Sequence, residues 1–209
     1  MKYRYVVVEG PIGSGKSTLA RLLSERFGTE LILEDPGANP FLPLFYRDMK
    51  RHALATQMFF LFQRVNQLSG MKQPDLFDRK TVADYMLAKD RLFAKLTLDD
   101  NEFSLYSQLY NHLRPQVPTP DLVIYLQASV DQLMTRIHKR GRPMEKSITE
   151  DYMMKLSETY TRHFYDYAES PLLIVNSDRF NFADNPEHFE MLLTRIASLR
   201  GMREYFNAA

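Results

Sequence analysis

Cysteine is absent from this 209-residue chain, and its absence excludes disulfides, thiolate metal sites and cysteine nucleophiles. Long apolar runs are absent as well, because the longest, such as residues 58–62, are far too short to cross a bilayer. The first residues lead directly into a short apolar stretch, so no signal peptide is predicted. We therefore expect a cytoplasmic protein with no membrane partner.

An excess of charge of one sign is also missing, since 27 basic residues face 26 acidic ones and the net charge is +1. Such a balance provides no general attraction to nucleic acid, so none is expected as a partner. The length and the 44% hydrophobic content are those of a globular protein with one core. We predict a single domain over residues 1–209.

Glycine is scarce, yet three of the eight glycines, Gly10, Gly13 and Gly15, fall within six residues. With Lys16 and Ser17 they fit the phosphate-loop pattern, in which two glycines five residues apart precede Lys and then Ser or Thr. The complete segment consists of Gly10, Pro11, Ile12, Gly13, Ser14, Gly15, Lys16, Ser17 and Thr18.

The surroundings of this segment favour a phosphate site over an ordinary glycine turn. Residues 5–8 are apolar without alternation, as in a buried parallel strand, and leucines at helical spacing follow the loop up to Gly28. A strand, a glycine loop and a helix N-terminus direct backbone N–H groups at an anion. We predict that a nucleoside triphosphate binds here, with Lys16 on its terminal phosphates and the Ser17 hydroxyl on Mg²⁺.

The rest of the chain alternates short apolar runs with long helical patterns, which predicts an α/β fold with a parallel sheet covered on both faces. Capping signatures at Ser129 and Ser147 predict helices that start near residues 130 and 148. A further helix is predicted over residues 53–68. The additional strands are predicted at residues 31–33, 81–83, 122–126 and 172–175.

A basic cluster follows the fourth predicted strand and its helix. Arg136 and Arg140 share a helix face, and Gly141 allows the chain to bend so that Arg142 turns inward. Three guanidinium groups on such a segment suit a lid that closes over phosphates and neutralises charge during phosphoryl transfer. The alternative is a basic helix C-terminus that is stabilised by the helix dipole.

The spacing Arg136-x-x-x-Arg140-x-Arg142 resembles the lid motif of the deoxyribonucleoside kinases, and the resemblance extends from residue 6 to about residue 175. Segments 34–36 and 39–42 are similar to the bacterial deoxyadenosine/deoxyguanosine kinase branch. The resemblance implies a P-loop kinase fold with a five-stranded parallel sheet and an arginine-rich lid at about residues 137–146. It also implies a homodimer formed through helices near residues 50–70 or 100–115.

The resemblance assigns roles to the acceptor residues. Glu34 follows the second strand, where the family keeps its catalytic base, although Asp35 is the next candidate. Tyr46 and Gln57 are eleven residues apart, as are the family's sugar-binding tyrosine and base-binding glutamine. Glu145 corresponds to the glutamate that joins this tyrosine at the sugar 3′-hydroxyl.

The resemblance assigns Arg64 and Asp90 to the binding of the base. In the resembled family, this pair marks members whose substrates carry cytosine or purine bases. Asp84, at the end of the third strand, is expected to hold Mg²⁺ through water. The arginine that commonly follows this acid is missing, and Lys89, Arg91 or no residue replaces it. Tryptophan is absent too, so base stacking would come from aromatic residues elsewhere, with the candidates Phe59, Phe60, Phe93 and Tyr85.

These residues predict a magnesium-dependent enzyme that moves the γ-phosphate of ATP to the 5′-hydroxyl of a deoxyribonucleoside, preferably a purine one, in nucleotide salvage. Two alternatives stay open. One is a thymidylate-type nucleoside monophosphate kinase, which would need cations for the phosphate of its acceptor. The other is a nucleotide-binding regulator without kinase activity, in which Glu34 would have no catalytic role.

Overall fold

The computed structural model describes residues 2–72, 79–178 and 180–207, which form six strands and eight α-helices. The strands are β1 (Tyr5–Glu9), β2 (Glu30–Ile32), β3 (Thr81–Ala83), β4 (Leu122–Gln127), β5 (Leu172–Asn176) and β6 (Arg203–Phe206). The helices are α1 (Lys16–Phe27), α2 (Leu42–Phe45), α3 (Met49–Ser69), α4 (Ala88–Thr97), α5 (Asp100–Leu113), α6 (Val130–Arg140), α7 (Glu150–Asp166) and α8 (Pro186–Ser198).

The strands form one parallel sheet in the order β2-β3-β1-β4-β5-β6. β1 pairs with β3 on one side and with β4 on the other, so the chain order reverses direction at the centre of the sheet. Open α/β sheets bind ligands beyond the carboxyl ends of their strands at such a reversal. The phosphate loop leaves β1 at this position.

Successive residues of the central strands face opposite layers of helices. Val7 packs into a core that includes α4, α6 and α7, whereas Val6 and Val8 pack against α1 and α8. Because both faces are covered, the strands need unbroken apolar sequences, and every residue of β1 is buried. The predicted parallel sheet with helices on both faces is confirmed. No helix in the described ranges is both long and apolar enough to cross a membrane.

The sheet has six strands instead of the expected five. β6 reads Arg-Glu-Tyr-Phe and lies at the edge beside β5, where one side of the strand is unpaired. An edge strand of this kind lacks the apolar run by which the buried strands were identified. The predicted second strand is displaced by one residue, since β2 spans residues 30–32.

The helix starts were predicted with unequal success. Ser129 caps α6 as expected, by accepting a hydrogen bond from the backbone N–H of Gln132. α7 begins at Glu150, capped by Thr149, and Ser147 lies in a preceding 3₁₀ turn, so the start near residue 148 was wrong. The sequence alone does not distinguish Ser147 from Thr149 as the cap, because both side chains carry a hydroxyl group that can accept the capping hydrogen bond. α3 begins before the predicted residue 53 because Asp48 caps it.

Candidate active site

The phosphate loop between β1 and α1 has a backbone that its glycines make possible. Gly13 has φ +86° and Gly15 has φ +94°, and a Cβ on Gly13 would lie 2.8 Å from the Leu133 carbonyl oxygen. Another residue at position 13 would therefore strain the backbone and collide with α6. The Ser14 hydroxyl is buried beneath the loop without a hydrogen-bond partner in the described structure. The loop is shaped to hold an anion at the N-terminus of α1.

Lys16 stands at the first turn of α1 and lines the cavity beside the loop. Its Nζ donates to the Pro11 carbonyl at 2.8 Å, and no carboxylate of the described residues forms an ion pair with it. Burial, aided by the positive charge of Lys89, lowers the pKa of Lys16 to about 8. A bound triphosphate would supply a negatively charged partner for this ammonium group.

Ser17 and Asp84 provide two neighbouring oxygen groups below the loop. The Ser17 hydroxyl donates to Asp84 Oδ2 at 2.5 Å, and the Glu34 backbone N–H donates to Asp84 Oδ1 at 2.8 Å. The described residues contain no group of three or more His, Cys, Asp or Glu that could hold a metal. A hydroxyl and a carboxylate nevertheless suit Mg²⁺ in a kinase, where phosphate oxygens and water complete the coordination.

Glu34 turns its carboxylate into the cavity between two cations. Arg64 Nε donates to Oε1 at 3.1 Å, and Lys89 Nζ donates to Oε2 at 2.8 Å. Burial alone would raise the pKa of Glu34, but Lys89 and Arg64 hold it well below its ordinary range. The exposed side chain of Asp35 instead accepts the Gly37 N–H and does not line the cavity. The sequence left both Glu34 and Asp35 as candidates for the base, and the structure distinguishes them, because only Glu34 lines the cavity.

Arg64 also contacts Asp90, so one guanidinium connects the Glu34 carboxylate to the helix α4. The side chain of Arg64 is 3% exposed and that of Asp90 is fully buried, which distinguishes the pair from a surface salt bridge. Burial raises the pKa of Asp90 to about 6 although Arg64 opposes this. The Phe60 ring packs against the guanidinium, with its centroid 4.8 Å from Cζ.

The cavity in front of these groups has a volume of about 120 Å³. Gln57 lines it with a buried amide whose Nε2 donates to Thr97 Oγ1 at 3.3 Å and whose Oε1 has no hydrogen-bond partner in the part of the chain that the structure describes. A ligand with a hydrogen-bond donor would satisfy this oxygen. Of the four stacking candidates, Phe60 and Phe93 line the cavity, whereas Phe59 and Tyr85 do not.

The segment after α6 closes the opposite wall. Arg140 reaches Glu145 with Nη2 at 2.7 Å from Oε1 and Nε at 3.1 Å from Oε2, and Arg142 Nη1 lies 3.6 Å from Oε1. Gly141, with φ +67°, provides the bend between the two arginines. Tyr46 also lines the cavity. Burial, and to a smaller extent the negative charge of Glu145, raises the pKa of its phenol.

Asp90 pairs with Arg64 but does not itself line the cavity, and Arg136 is not brought to the cavity at all. Arg136 Nη2 donates to the Ser177 carbonyl at 2.6 Å, at the end of β5. Arg91 is exposed and lies over the Tyr110 ring, so Lys89 is the basic residue of α4 that reaches Glu34. Sequence reasoning missed Thr56, Met144 and several other lining residues, because nothing in their local pattern distinguishes them from ordinary core positions.

A phosphate loop beside a cavity that a single carboxylate, Glu34, also lines is typical of a P-loop kinase for a small-molecule acceptor. The sequence comparison narrows this class. Residues 6–200 match the model of the deoxynucleoside kinase family. The chain belongs to this family, and it is an ATP-dependent phosphotransferase.

Individual relatives cover nearly the whole chain. It is 36% identical to a deoxyguanosine kinase of Bacillus subtilis, covering 93% of this chain and 97% of the relative. It is 34% identical to a deoxyadenosine kinase of Lactobacillus acidophilus, covering 91% and 94%. The fold is similar to a solved deoxyadenosine kinase of M. mycoides with bound dATP, with a TM-score of 0.79, 26% identity, and coverage of 93% and 100%.

Proposed function

We propose that this deoxynucleoside kinase prefers a purine acceptor, deoxyadenosine or deoxyguanosine, and phosphorylates its 5′-hydroxyl in nucleotide salvage. The observation that carries the proposal is the position of Glu34 between the donor loop and the cavity that Gln57 lines. The relatives at 36% and 34% identity are named as kinases of these two nucleosides. A Bacillus subtilis relative at 28% identity is named a deoxyadenosine/deoxycytidine kinase, so deoxycytidine is the second candidate.

In the proposed reaction, the Glu34 carboxylate accepts a hydrogen bond from the 5′-hydroxyl and finally its proton. The hydroxyl oxygen forms a bond to the γ-phosphorus while the bond between that phosphorus and the β,γ-bridging oxygen breaks, and ADP leaves with the electron pair. Because its two cations make Glu34 a weak base, it acts first by orienting the hydroxyl. Mg²⁺, when bound, would neutralise phosphate charge, and Ser17 and Asp84 are the residues that would hold it.

The remaining roles follow from position. Lys16 and the loop N–H groups hold the triphosphate, and Arg140 and Arg142 neutralise the transferring group when the lid acts. Arg136 precedes the proposed lid at residues 137–146, and it donates to the Ser177 carbonyl in this structure. The sugar 3′-hydroxyl is assigned to Tyr46 and Glu145, and the base to a separate group, consisting of Gln57, Arg64 and Asp90.

The charges of the cavity favour a neutral acceptor over a nucleoside monophosphate. Arg64 and Lys89 are engaged by Glu34, and Arg140 and Arg142 by Glu145. Among the described lining residues, only Lys16 is a cation without a carboxylate partner, and it lies at the donor loop. A thymidylate-type kinase would need an available cation for its acceptor's phosphate.

The proposal includes a single kinase domain over residues 1–209, a cytoplasmic location where ATP is supplied, and a homodimer. Phe62 on α3 is 46% exposed and Leu105 on α5 is 51% exposed, and these helices are the proposed dimer surface. A chain that is monomeric by light scattering at micromolar concentration would contradict the dimer.

A coupled ADP-release assay with four deoxynucleosides and with dAMP and dTMP tests the proposed function. We expect turnover of deoxyadenosine or deoxyguanosine to exceed that of thymidine, with no turnover of the monophosphates. Thymidine used equally well would contradict the role of Arg64 and Asp90, and turnover of the monophosphates alone would contradict a nucleoside acceptor. A Glu34→Gln variant with wild-type activity would contradict the role of Glu34 as the catalytic base.

A further inference from the structure

Lys89 occupies a position that is unfavourable for a lysine. It stands in the first turn of α4, where the helix dipole disfavours a cation, and its side chain is 5% exposed. Burying an ammonium group is costly unless it is paired. Something other than local stability must therefore account for a lysine at this point.

The partner of Lys89 is Glu34. Lys89 Nζ lies 2.8 Å from Glu34 Oε2, which is the oxygen that Arg64 leaves free. Of the other buried carboxylates nearby, Glu9 accepts the backbone N–H groups of Gly10 and Met86, and Asp90 pairs with Arg64. In the described structure, Lys89 thus forms its ion pair with Glu34 alone.

Glu34 needs such support because it lies between β2 and a short 3₁₀ turn, outside any regular element. Its backbone N–H is held by Asp84 and one carboxylate oxygen by Arg64, which leaves the second oxygen to Lys89. Contacts to both oxygens fix the plane of the carboxylate, and this plane decides which lone pair faces the acceptor hydroxyl.

We propose that Lys89 is a positioning residue that orients the Glu34 carboxylate toward the hydroxyl to be phosphorylated. This inference rests on the proposed role of Glu34. Because Lys89 acts through Glu34, its loss reduces the rate of transfer from a bound acceptor more than it reduces acceptor binding. The sugar and the base are bound by other residues, among them Tyr46 and Gln57.

The first experiment compares K89M and K89R with R91M in steady-state kinetics with deoxyadenosine. We expect K89M to lower kcat on the order of 50-fold while the nucleoside KM changes by less than about threefold. K89R keeps the cation and recovers most of kcat. R91M is the matched control, because Arg91 is on the same helix but exposed, and we expect it to behave as the wild type.

A second experiment distinguishes the effect of the positive charge at position 89 from the effect of side-chain packing. The chain has no cysteine, so K89C introduces a single thiol that can be alkylated selectively. Treatment with 2-bromoethylamine restores an ammonium group at about the length of lysine, whereas iodoacetamide adds a neutral amide. We expect kcat to recover at least tenfold with bromoethylamine and not with iodoacetamide. A merely structural role would respond to both reagents.

A K89M enzyme with wild-type kcat, or equal recovery of K89C with both reagents, would overturn the inference. E34Q in the same assay separates this failure from that of the proposed function. Loss of activity in E34Q with full activity in K89M removes only the role of Lys89. Full activity in E34Q removes the role of Glu34 itself. Thermal unfolding of each variant identifies loss of fold, and K89R and alkylated K89C still test the inference if K89M unfolds.

Discussion

The donor and acceptor halves of the cavity recognise their ligands by different means. The donor half is one continuous stretch, residues 10–18, whose glycines allow backbone N–H groups to face a phosphate. The acceptor half consists of side chains from α3, α4 and the segment after α6, which are joined by ion pairs. Backbone recognition depends on local conformation, whereas the acceptor half depends on partners that are distant in sequence.

The two halves also differ in available charge. Among the described residues, Lys16 is bonded only to a carbonyl oxygen, so its charge is available to attract phosphate. The cations of the acceptor half are paired with two carboxylates, Glu34 and Glu145, and this pairing is the reason for proposing a neutral acceptor. An enzyme that must distinguish a nucleoside from a nucleotide gains this selectivity from the pairing itself.

Lys16→Met tests the donor half and is expected to have the largest effect. The substitution removes the one unpaired cation of the described lining, so kcat/KM for ATP should fall on the order of 1,000-fold. Binding of deoxyadenosine, measured by calorimetry without ATP, should stay within about twofold of the wild type. A parallel loss of nucleoside binding would show that the two halves are not independent.

Arg64→Met tests the ion pairs of the acceptor half. It leaves the fully buried Asp90 without its cation, so we expect the free energy of unfolding to fall by about 3 kcal/mol. The double variant R64M/D90L removes both charges and should recover more than half of that loss in urea unfolding. Its activity should stay low, because Glu34 still lacks Arg64. If the single and double variants are equally unstable, the pair is not the source of the effect.

Glu145→Gln tests whether pairing excludes a phosphate from the acceptor half. The change releases Arg140, which is bound by both oxygens of the carboxylate, and Arg142. We expect the KM for deoxyadenosine to rise about tenfold and binding of dAMP to strengthen, measured as competitive inhibition. The matched control is E150Q, at the exposed first residue of α7, which should change neither constant.

The same contrast explains what could be predicted from sequence. The phosphate loop, β3 and the cap of α6 were predictable because their signals are contiguous. The choice between Glu34 and Asp35 was not, since both follow β2 and only the turn sends one inward and leaves the other to bind Gly37.

Lys89 is a second residue whose environment could not be predicted from the sequence. Lys89 and Arg91 are two residues apart on α4, and their different environments follow from how α4 packs against α3 and α5. The acceptor residues were found only through the spacing of a known family, because a buried Gln or Arg in a helix carries no local signal. β6 escaped prediction for the related reason that its pairing with β5 is tertiary.

Arg136→Gln is expected to have the smallest effect, and it tests whether the acceptor half of the cavity extends to this residue. Arg136 belongs to the predicted arginine motif, but it donates to the Ser177 carbonyl and does not line the cavity. We expect kcat/KM to fall by less than about threefold. The free energy of unfolding should fall by about 1–2 kcal/mol, because Arg136 makes one short and one long hydrogen bond to Ser177. R140Q in the same assay should lose at least tenfold more activity. Equal losses in the two variants would mean that Arg136 leaves Ser177 and joins the lid during turnover.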